Sequence, residues 1–438
     1  MPPGRWALRL SPVTSSVPSS SHAPDPGAAA ERMHVTTRPI ADPVELLARL
    51  PDADPVAWVR DGEGLIGWGV AARLEVRGNE RFSRAQRWFS NLCASLEIDD
   101  TVSMPGTGPV AFASFSFDPE SGSSIVVVPE VVVGRRAGQA WMTVIGREPL
   151  ARPTLPPVSV PERPIFVTWA EGTRTSFEWQ GAVADAVSRI RAGELDKVVL
   201  ARDVVAHVDG PLDVRNLLLR LAEAYPSCWT FNVGDLVGAT PELLVRRTGD
   251  LVTSRVLAGT VRRRGDDRAD AGLARALLAS GKDAEEHEYA VRSVAKALAA
   301  HCTDLDVPAR PHVLELANVQ HLATDVTGRL ADAAPVLALA ASLHPTAAVC
   351  GTPTERALSV IQELEGMDRG RYAGPVGWFD RHGDGELGIA LRCATVDPAA
   401  GQVRSFAGCG IVAGSDPADE LAESVAKLVP IRDALEGR

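Results

Sequence analysis

The segment FAGCGIVAGSDPADELAESVAKL, residues 406–428, joins a glycine-rich apolar run to an acidic run with helical periodicity. Asp416 belongs to the residue types that cap helix N-termini, and Pro417 suits the first helical position. The apolar residues that recur at helical spacing after this cap are Leu421, Val425 and Leu428. The segment therefore predicts a C-terminal helix that buries these three residues.

Three charged side chains border the apolar face of this predicted helix. Glu420, Glu423 and Lys427 fall within a stripe of roughly 60°, given about 100° per residue. The stripe lies beside the apolar face rather than opposite to it, which suits a half-buried site. The alternative is a solvated face on which Glu423 and Lys427 form an ion pair worth roughly a few tenths of a kcal/mol.

A second helix, predicted over residues 283–301, carries two more acids on one face. Asp283 and Glu286 are three residues apart and are therefore neighbours on the helix surface. If the two helices meet, their carboxylates would repel one another unless a cation lies between them. All-oxygen ligation of this kind suits Mg²⁺, which also accepts water and an anionic substrate group as ligands.

Lysine is rare in this chain. Of the 45 basic residues, four are lysines, at positions 197, 282, 296 and 427. Arginine serves wherever any positive charge is sufficient. A position that keeps lysine is therefore a candidate for a compact ammonium group, or for a base that can lose its proton.

The chain divides into three regions. Residues 1–33 are rich in Ser, Pro and Ala, which predicts a disordered extension, a transit peptide or, as the favoured interpretation, a start upstream of the true initiator Met33. Residues 34–150 are β-rich, with strands predicted at 110–117 and 125–133. After a proline-rich linker at 152–163, residues 160–435 alternate helices and strands. They include a strand at 197–208 and a helix that ends at Gly193. The apolar face of this helix consists of Trp179, Val183, Val187 and Ile190.

Composition excludes several classes of protein. The net charge is −11 and no basic cluster exceeds the short run at 262–264, so we expect no nucleic-acid partner. There is no apolar run of about eighteen residues, so we expect no membrane span. The six cysteines are scattered without a C-x-x-C pair, which excludes a zinc site or a disulfide framework and predicts free thiols in a reducing cytoplasm.

Nine segments occur together in a characteristic order. They are LDKVVLAR (195–202), GATPELLV (238–245), LAGT (257–260), KDAEEHE (282–288), VQHLATDV (319–326), LHPTAAVCG (343–351), GPVGWF (374–379), IALRCA (389–394) and the segment at 406–428. This set resembles the catalytic domain of the chorismate-utilising enzymes, which include isochorismate, salicylate, anthranilate and aminodeoxychorismate synthases. The resemblance implies an α+β fold, a single large domain of two mostly antiparallel sheets flanked by helices around a deep cleft.

The resemblance also implies a set of site residues. The family's Mg²⁺ ligands fall on Glu286 and Glu423, with Asp283 and Glu420 acting through water or as supporting groups. The residues that it implies for binding the substrate chorismate are Gly259, Thr260, His321, Ala348, Tyr372, Arg392, Gly408 and Lys427. Members of this type are often monomers, so we expect no obligate protein partner.

The implied reaction is the isomerisation of chorismate to isochorismate, in which water adds a hydroxyl at C2 and the C4 hydroxyl leaves. Lys197 matches the family's base, which must be able to lose its proton, and Glu242 matches its acid, which needs a raised pKa. A lysine on a strand is more often solvated, and a glutamate after proline is more often a turn residue. The aminating members resemble one another in lacking this lysine, so Lys197 disfavours amination, as does LAGT in place of PIKGT.

Two alternatives remain open. Salicylate synthases go on to eliminate pyruvate from isochorismate, and they resemble one another in carrying threonine at the position of Ala348. Tyr372 is a residue that they share with this chain. We give Ala348 more weight and expect the reaction to stop at isochorismate, which would feed menaquinone or siderophore biosynthesis. A non-catalytic relative or subunit would be expected to lack at least one of Lys197, Glu242, Glu286 and Glu423, and all are present.

Overall fold

The computed structural model describes residues 33–148 and 154–438. The N-terminal extension predicted over residues 1–33 lies outside the described residues, apart from Met33. Residues 154–163 of the predicted linker contain no helix or strand.

The described residues form 23 strands. They are β1 (His34–Pro39), β2 (Val56–Arg60), β3 (Glu63–Trp68), β4 (Ala72–Val76), β5 (Glu97–Asp100), β6 (Val110–Ser114), β7 (Ser124–Val128), β8 (Val131–Arg136), β9 (Gln139–Gly146), β10 (Phe166–Glu171), β11 (Lys197–Asp209), β12 (Trp229–Val233), β13 (Leu236–Thr240), β14 (Leu243–Thr248), β15 (Leu251–Arg262), β16 (Cys302–Asp306), β17 (His312–Glu315), β18 (Val319–Leu330), β19 (Gly351–Thr352), β20 (Pro375–Asp380), β21 (Gly385–Ile389), β22 (Cys393–Asp397) and β23 (Gln402–Ile411).

Eight α-helices and one short 3-10 helix (Leu47–Arg49) complete the described structure. The α-helices are α1 (Arg81–Ala94), α2 (Ser176–Arg191), α3 (Val214–Ala224), α4 (Asp267–Ala279), α5 (Gly281–Leu298), α6 (Val336–Leu343), α7 (Thr354–Glu365) and α8 (Pro417–Glu436). Over the part of the chain that the structure describes, none of these helices has the length and apolar character needed to cross a membrane.

The strands form two sheets. The large sheet has 13 strands in the order β10-β11-β23-β22-β13-β12-β2-β3-β8-β9-β1-β5, with β19 also paired to β11. The small sheet has 10 strands in the order β16-β18-β15-β14-β21-β20-β6-β7-β4, with β17 also paired to β18. Neighbouring strands are antiparallel, and the one parallel pair among the described residues is β1 with β5. The predicted α+β fold with two mostly antiparallel sheets is confirmed.

The chain passes from one sheet to the other several times, and two of these crossings lie side by side. One runs from β13 to β14 and the other from β21 to β22. Hydrogen bonds join them: Thr240 Oγ1 donates to the Ile389 carbonyl at 2.6 Å, and Ile389 N donates to the Glu242 carbonyl at 3.1 Å. Ala239 N also donates to the Arg392 carbonyl at 3.2 Å. The two crossings therefore act as one structural unit.

A buried carboxylate links the two sheets through the core. Glu386 on β21 accepts hydrogen bonds from the indole N–H groups of Trp58 at 3.0 Å and Trp229 at 3.1 Å, both on the large sheet. Arg136 and Arg246 each lie 3.1 Å from the same carboxylate and balance its charge. The polar contact therefore satisfies two indoles that are otherwise packed among apolar side chains.

Helix and strand positions predicted from periodicity agree with the structure in the C-terminal region. The predicted helix that ends at Gly193 is α2, and Gly193 has φ +79°, which favours glycine. The strand predicted from residue 197 is β11. Asp416 caps α8, with its side chain accepting hydrogen bonds from the backbone N–H groups of Ala418 and Asp419.

Two predictions about local structure were wrong. The run at 125–133 is not one strand, because it divides at Pro129 into β7 of the small sheet and β8 of the large sheet. On α8, Leu428 is buried but Val425 is 44% exposed. The buried face of α8 instead includes Glu420, Ser424 and Lys427, so the charged stripe turns inward.

A buried ion pair between Arg369 and Glu365 connects three segments of the chain. Arg369 Nε donates to Glu365 at 2.9 Å, and both side chains are at most 3% exposed. The same guanidinium donates to the carbonyls of Val199 on β11 at 2.8 Å and Val349 at 2.9 Å. The Glu365 carboxylate in turn accepts from Ala201 N at 2.6 Å.

We expect Glu365→Ala to lower the free energy of unfolding by about 3–5 kcal/mol, because it leaves a buried guanidinium unpaired. Urea denaturation measures the change. The matched control is Glu288→Ala, since Glu288 and Arg292 also form an i,i+4 pair but both are about two-thirds exposed. That variant should unfold nearly as the wild type does. Equal effects of the two substitutions would contradict the role assigned to Glu365.

Candidate functional site

A cavity of about 50 Å³ lies between the large and the small sheet. Ten of the fourteen residues predicted from the sequence line it, namely Glu242, Gly259, Thr260, Glu286, His321, Ala348, Tyr372, Arg392, Gly408 and Lys427. Lys197, Asp283, Glu420 and Glu423 do not line it. A larger groove of about 940 Å³, beside the linker, is lined by none of the fourteen.

Glu242 lies in the cavity wall at the crossing from β13 to β14. Its side chain is 4% exposed, and burial raises its pKa to about 8. The positive charges of Lys197 and Arg392 oppose this rise without cancelling it. Glu242 therefore holds a proton at neutral pH, which a general acid requires.

Lys197 begins β11 and has no exposed surface. Its Nζ lies 3.2 Å from Glu286 Oε1, and it shares a strand face with Val199, which lines the cavity. The Lys197 ammonium group therefore contacts the Glu286 carboxylate, which itself lines the cavity. A Cβ at Gly410 would come within 2.1 Å of Glu286 Oε1 and 3.1 Å of Lys197 Cε, so a side chain here would displace the Glu286 carboxylate.

Three of the four lysines pair with three of the predicted acids. The pairs are Lys197 with Glu286 at 3.2 Å, Lys282 with Glu420 at 2.8 Å and Lys427 with Glu423 at 2.5 Å. Burial lowers the pKa of Lys427, but the Glu423 carboxylate raises it overall, so this lysine stays charged. The ion pair expected on a solvated helix face is therefore present, but in a half-buried setting.

Acids from α5 and α8 meet beside the cavity. Burial raises the pKa of Asp283, and the charges of Glu286 and Glu423 add to this rise. Burial likewise raises the pKa of Glu420, with a further contribution from Glu423. The ion pair between Lys282 of α5 and Glu420 of α8, at 2.8 Å, brings the two helices together here, whereas the convergence of Glu286 and Glu423 on one cation stays a prediction.

The donors in this cluster suit a hard divalent cation. Carboxylate oxygens from both helices are available, and the buried repulsion between them is the kind that a divalent cation relieves. The Sγ of Cys409 also lies within 4.8 Å of ligand oxygens of Glu420 and Glu423. Burial holds the pKa of this thiol well above its usual value, so it stays protonated and is a poor metal ligand.

The opposite wall presents a hydrogen-bonded chain of three side chains. His321 Nδ1 lies 3.0 Å from Thr260 Oγ1, and its Nε2 lies 3.1 Å from an Arg392 terminal nitrogen. Thr260 and His321 are cross-strand partners on β15 and β18, directly after a bulge at Gly259, where φ is +78°. The bulge turns the following residue toward the cavity.

Two residues of the cavity lining have a strained backbone. Arg392 has φ +49° and Ala373 has φ +59°, both in the left-handed region that non-glycine residues rarely adopt. Both residues line the cavity. Such strain persists only where the surrounding structure imposes it, and it is common at functional sites.

Tyr372 and Ala348 occupy neighbouring parts of the lining. The Tyr372 ring stacks on Phe406 at 5.0 Å between ring centroids, and burial raises the pKa of its hydroxyl. A Cβ at Gly408 would lie 2.9 Å from this hydroxyl, so glycine makes room for the phenol. The carbonyl of Gly408 accepts a hydrogen bond from Lys427 Nζ at 2.9 Å.

Two charged residues at or beside this site were not assigned from the sequence. Lys282 stood out only through the rarity of lysine, and its partner Glu420 is 138 residues away in the chain. Arg369 lines the cavity and lies 6.0 Å from the centre of the Tyr372 ring. Arginine is common in this chain, so no signal in the sequence distinguished it.

A family model described as chorismate binding enzyme matches residues 31–147 and 160–436. The chain belongs to the chorismate binding enzymes. The predicted family is confirmed, and the fold described above is the fold of its members.

Relatives within the family have isochorismate synthase names. The salicylate biosynthesis isochorismate synthase of Pseudomonas aeruginosa is 35% identical over 430 residues, which cover 90% of this chain and 88% of that protein. Isochorismate synthase MenF of Bacillus subtilis is 31% identical over 405 residues, 85% of each chain. The structure of MenF, the menaquinone-specific isochorismate synthase from Escherichia coli, superposes with a TM-score of 0.74 at 26% identity and covers 92% of this chain and 94% of that one.

The raised pKa of Glu242 predicts a pH-dependent stability. Between its ordinary pKa of 4.5 and the folded value of about 8, the folded state binds a proton that the unfolded state releases. The contribution of Glu242 to the free energy of unfolding therefore falls as pH rises through this window. As the pH rises between 4.5 and about 8, the free energy of unfolding of Glu242→Gln should increase relative to that of the wild type by about 1.4 kcal/mol per pH unit.

Urea unfolding at pH 5 and pH 8 measures this difference. The control is Glu355→Gln, which replaces an exposed glutamate on α7 and should show no such trend. A Glu242→Gln variant with the same relative stability at both pH values would contradict a protonated, buried Glu242.

Proposed function

We propose that this chain is an isochorismate synthase that converts chorismate to isochorismate. The observation that carries the proposal is the buried Glu242 carboxyl, whose pKa burial raises to about 8, in a cavity whose other charged lining groups include Arg392 and Lys427. The positive charges of Arg392 and Lys427 complement the two negative charges of a dianionic substrate. The names of the two relatives support the same activity, and their alignments cover most of this chain and most of each relative.

The proposed chemistry needs one proton donor and one proton acceptor. Glu242 donates its proton to the hydroxyl that leaves C4, so that it departs as water. Lys197, in its neutral form, accepts the proton that the attacking water loses as its oxygen bonds to C2. The total number of protons on substrate and protein is unchanged. Arg392 and Lys427 bind substrate carboxylates by charge-assisted hydrogen bonds.

We also propose that the site uses Mg²⁺. Glu286 and Glu423 would hold the cation, with Asp283 and Glu420 as supporting groups. When bound, the cation supplies positive charge that neutralises these carboxylates and anchors a carboxylate of the substrate. The four acids belong to one chain, so the proposed enzyme needs no second subunit to complete its site and is expected to act as a monomer.

Salicylate synthesis is the second candidate. Tyr372, buried against Phe406, supports it, whereas Ala348 offers no hydroxyl to the cavity. We propose that the reaction stops at isochorismate. Menaquinone or siderophore biosynthesis would consume the product, and the free state of all six cysteines supports a reducing compartment such as the cytoplasm.

Purified protein with chorismate and Mg²⁺ should form isochorismate without pyruvate, as separated by chromatography. Lys197→Ala and Glu242→Gln should each lower kcat by roughly 10²–10⁴-fold, because each removes one proton-transfer group. The exposed control Glu355→Gln should retain wild-type turnover. Salicylate with pyruvate would support the second candidate, anthranilate formed with an ammonium salt would refute the whole proposal, and high activity in Lys197→Ala would remove the base assignment.

The metal assignment predicts a loss of cation affinity in variants of α8. Glu423→Gln should raise the Kd for Mn²⁺, measured by electron paramagnetic resonance in place of Mg²⁺, by at least roughly tenfold. Asp419→Asn is the matched control, since Asp419 is an exposed acid one turn earlier on the same helix. If the two variants bind Mn²⁺ equally well, Glu423 is not a ligand.

A further inference from the structure

The side chain of His321 has a partner at each ring nitrogen and is 4% exposed. Arg392 faces Nε2 at 3.1 Å and Thr260 Oγ1 faces Nδ1 at 3.0 Å. A guanidinium group has only hydrogen-bond donors. The nitrogen that faces Arg392 must therefore be an acceptor and carries no hydrogen.

The remaining ring hydrogen then belongs to Nδ1. A neutral imidazole has one donor and one acceptor nitrogen, so an accepting Nε2 implies a donating Nδ1. Burial holds the pKa of His321 well below its usual value, and the charges of Arg392 and Lys427 lower it further. The ring is therefore neutral.

This tautomer fixes the direction of the Thr260 hydroxyl. Thr260 Oγ1 accepts the hydrogen of His321 Nδ1, so its own hydrogen points elsewhere. Because Thr260 lines the cavity, a group bound there is the natural acceptor. The direction of donation runs from Arg392 to His321, from His321 to Thr260, and from Thr260 into the cavity.

We propose that His321 is a positioning residue, held as the neutral Nδ1–H tautomer, which fixes the Arg392 guanidinium and aims the Thr260 hydroxyl at a substrate oxygen. It exchanges no proton with the substrate. The identity of that substrate rests on the proposed function, whereas the tautomer and the direction of the hydrogen bonds do not.

The backbone around this chain of side chains supports a positioning role. Thr260 follows the bulge at Gly259, and Arg392 has φ +49° at the crossing from β21 to β22. The hydrogen bond from Ala239 N to the Arg392 carbonyl holds this strained residue. The fold thus fixes Thr260 and Arg392, which are the two ends of this hydrogen-bonded series, and His321 joins them.

Nuclear magnetic resonance of the full-length chain labelled with ¹⁵N-histidine tests the tautomer. The chain has nine histidines, and the ring signals missing from the His321→Gln spectrum assign His321. We expect a protonated Nδ1 and an unprotonated Nε2 that do not change between pH 5.5 and 8.5. A hydrogen on Nε2, or protonation of both nitrogens within this range, would overturn the proposal. The measurement needs no substrate, so its result is independent of the proposed function.

Binding of chorismate with Mg²⁺, measured by calorimetry, tests the positioning role. His321→Leu should weaken binding by roughly 10- to 100-fold, because Arg392 and Thr260 lose their shared partner. His321→Gln should bind at least tenfold more tightly than His321→Leu, since the amide oxygen can accept from Arg392. Equal losses of kcat in both variants with unchanged affinity would instead indicate a proton-transfer role and refute the proposal.

Variants of Thr260 provide a second test that leaves the histidine intact. Thr260→Ser keeps the hydroxyl donor, and Thr260→Val replaces it with a methyl group of similar shape. The serine variant should bind chorismate at least roughly fivefold more tightly than the valine variant. Equal affinities would show that the hydroxyl is not directed at the substrate.

Discussion

Several carboxylates lie close together inside this protein, and their charge must be balanced before the two sheets can enclose them. Burial of an unpaired charge costs several kcal/mol, so each acid needs a nearby cation. Three of the four lysines meet this need by pairing with glutamates of α5 and α8. The pair between Lys282 and Glu420 also joins the two helices.

On the other side of the cavity, the backbone path determines where the ionisable groups of Glu242 and Arg392 lie. Glu242 and Arg392 lie at adjacent crossings between the sheets, and these crossings share hydrogen bonds through Thr240 and Ile389. A crossing residue has backbone groups that neither sheet can pair completely. The two crossings satisfy one another, which allows a protonated carboxyl and a strained arginine to stay buried side by side.

Periodicity was sufficient to predict the helices α2, α5 and α8 and the strand β11. Each has an apolar pattern that repeats over several helical turns or, in β11, runs over many consecutive residues. It failed on the buried face of α8, where Glu420 and Lys427 are buried and Val425 is exposed, because the site rather than the core determines that face. It also failed at residues 125–133, since alternation does not reveal which of two sheets a strand joins. Pairs such as Lys282 with Glu420 depend on tertiary folding, so the family motifs indicated ten residues that line the cavity but not such ion-pair partners.

The two halves of the chain, on either side of the linker, contribute strands to both sheets. β2 of the first half pairs with β12 of the second, and β6 pairs with β20. A polypeptide cut at the linker would therefore expose the apolar edges of β12 and β20, which are templates for aggregation. The stretch that contains every predicted site residue is thus not a self-sufficient module, and its solubility depends on the half that carries none of them.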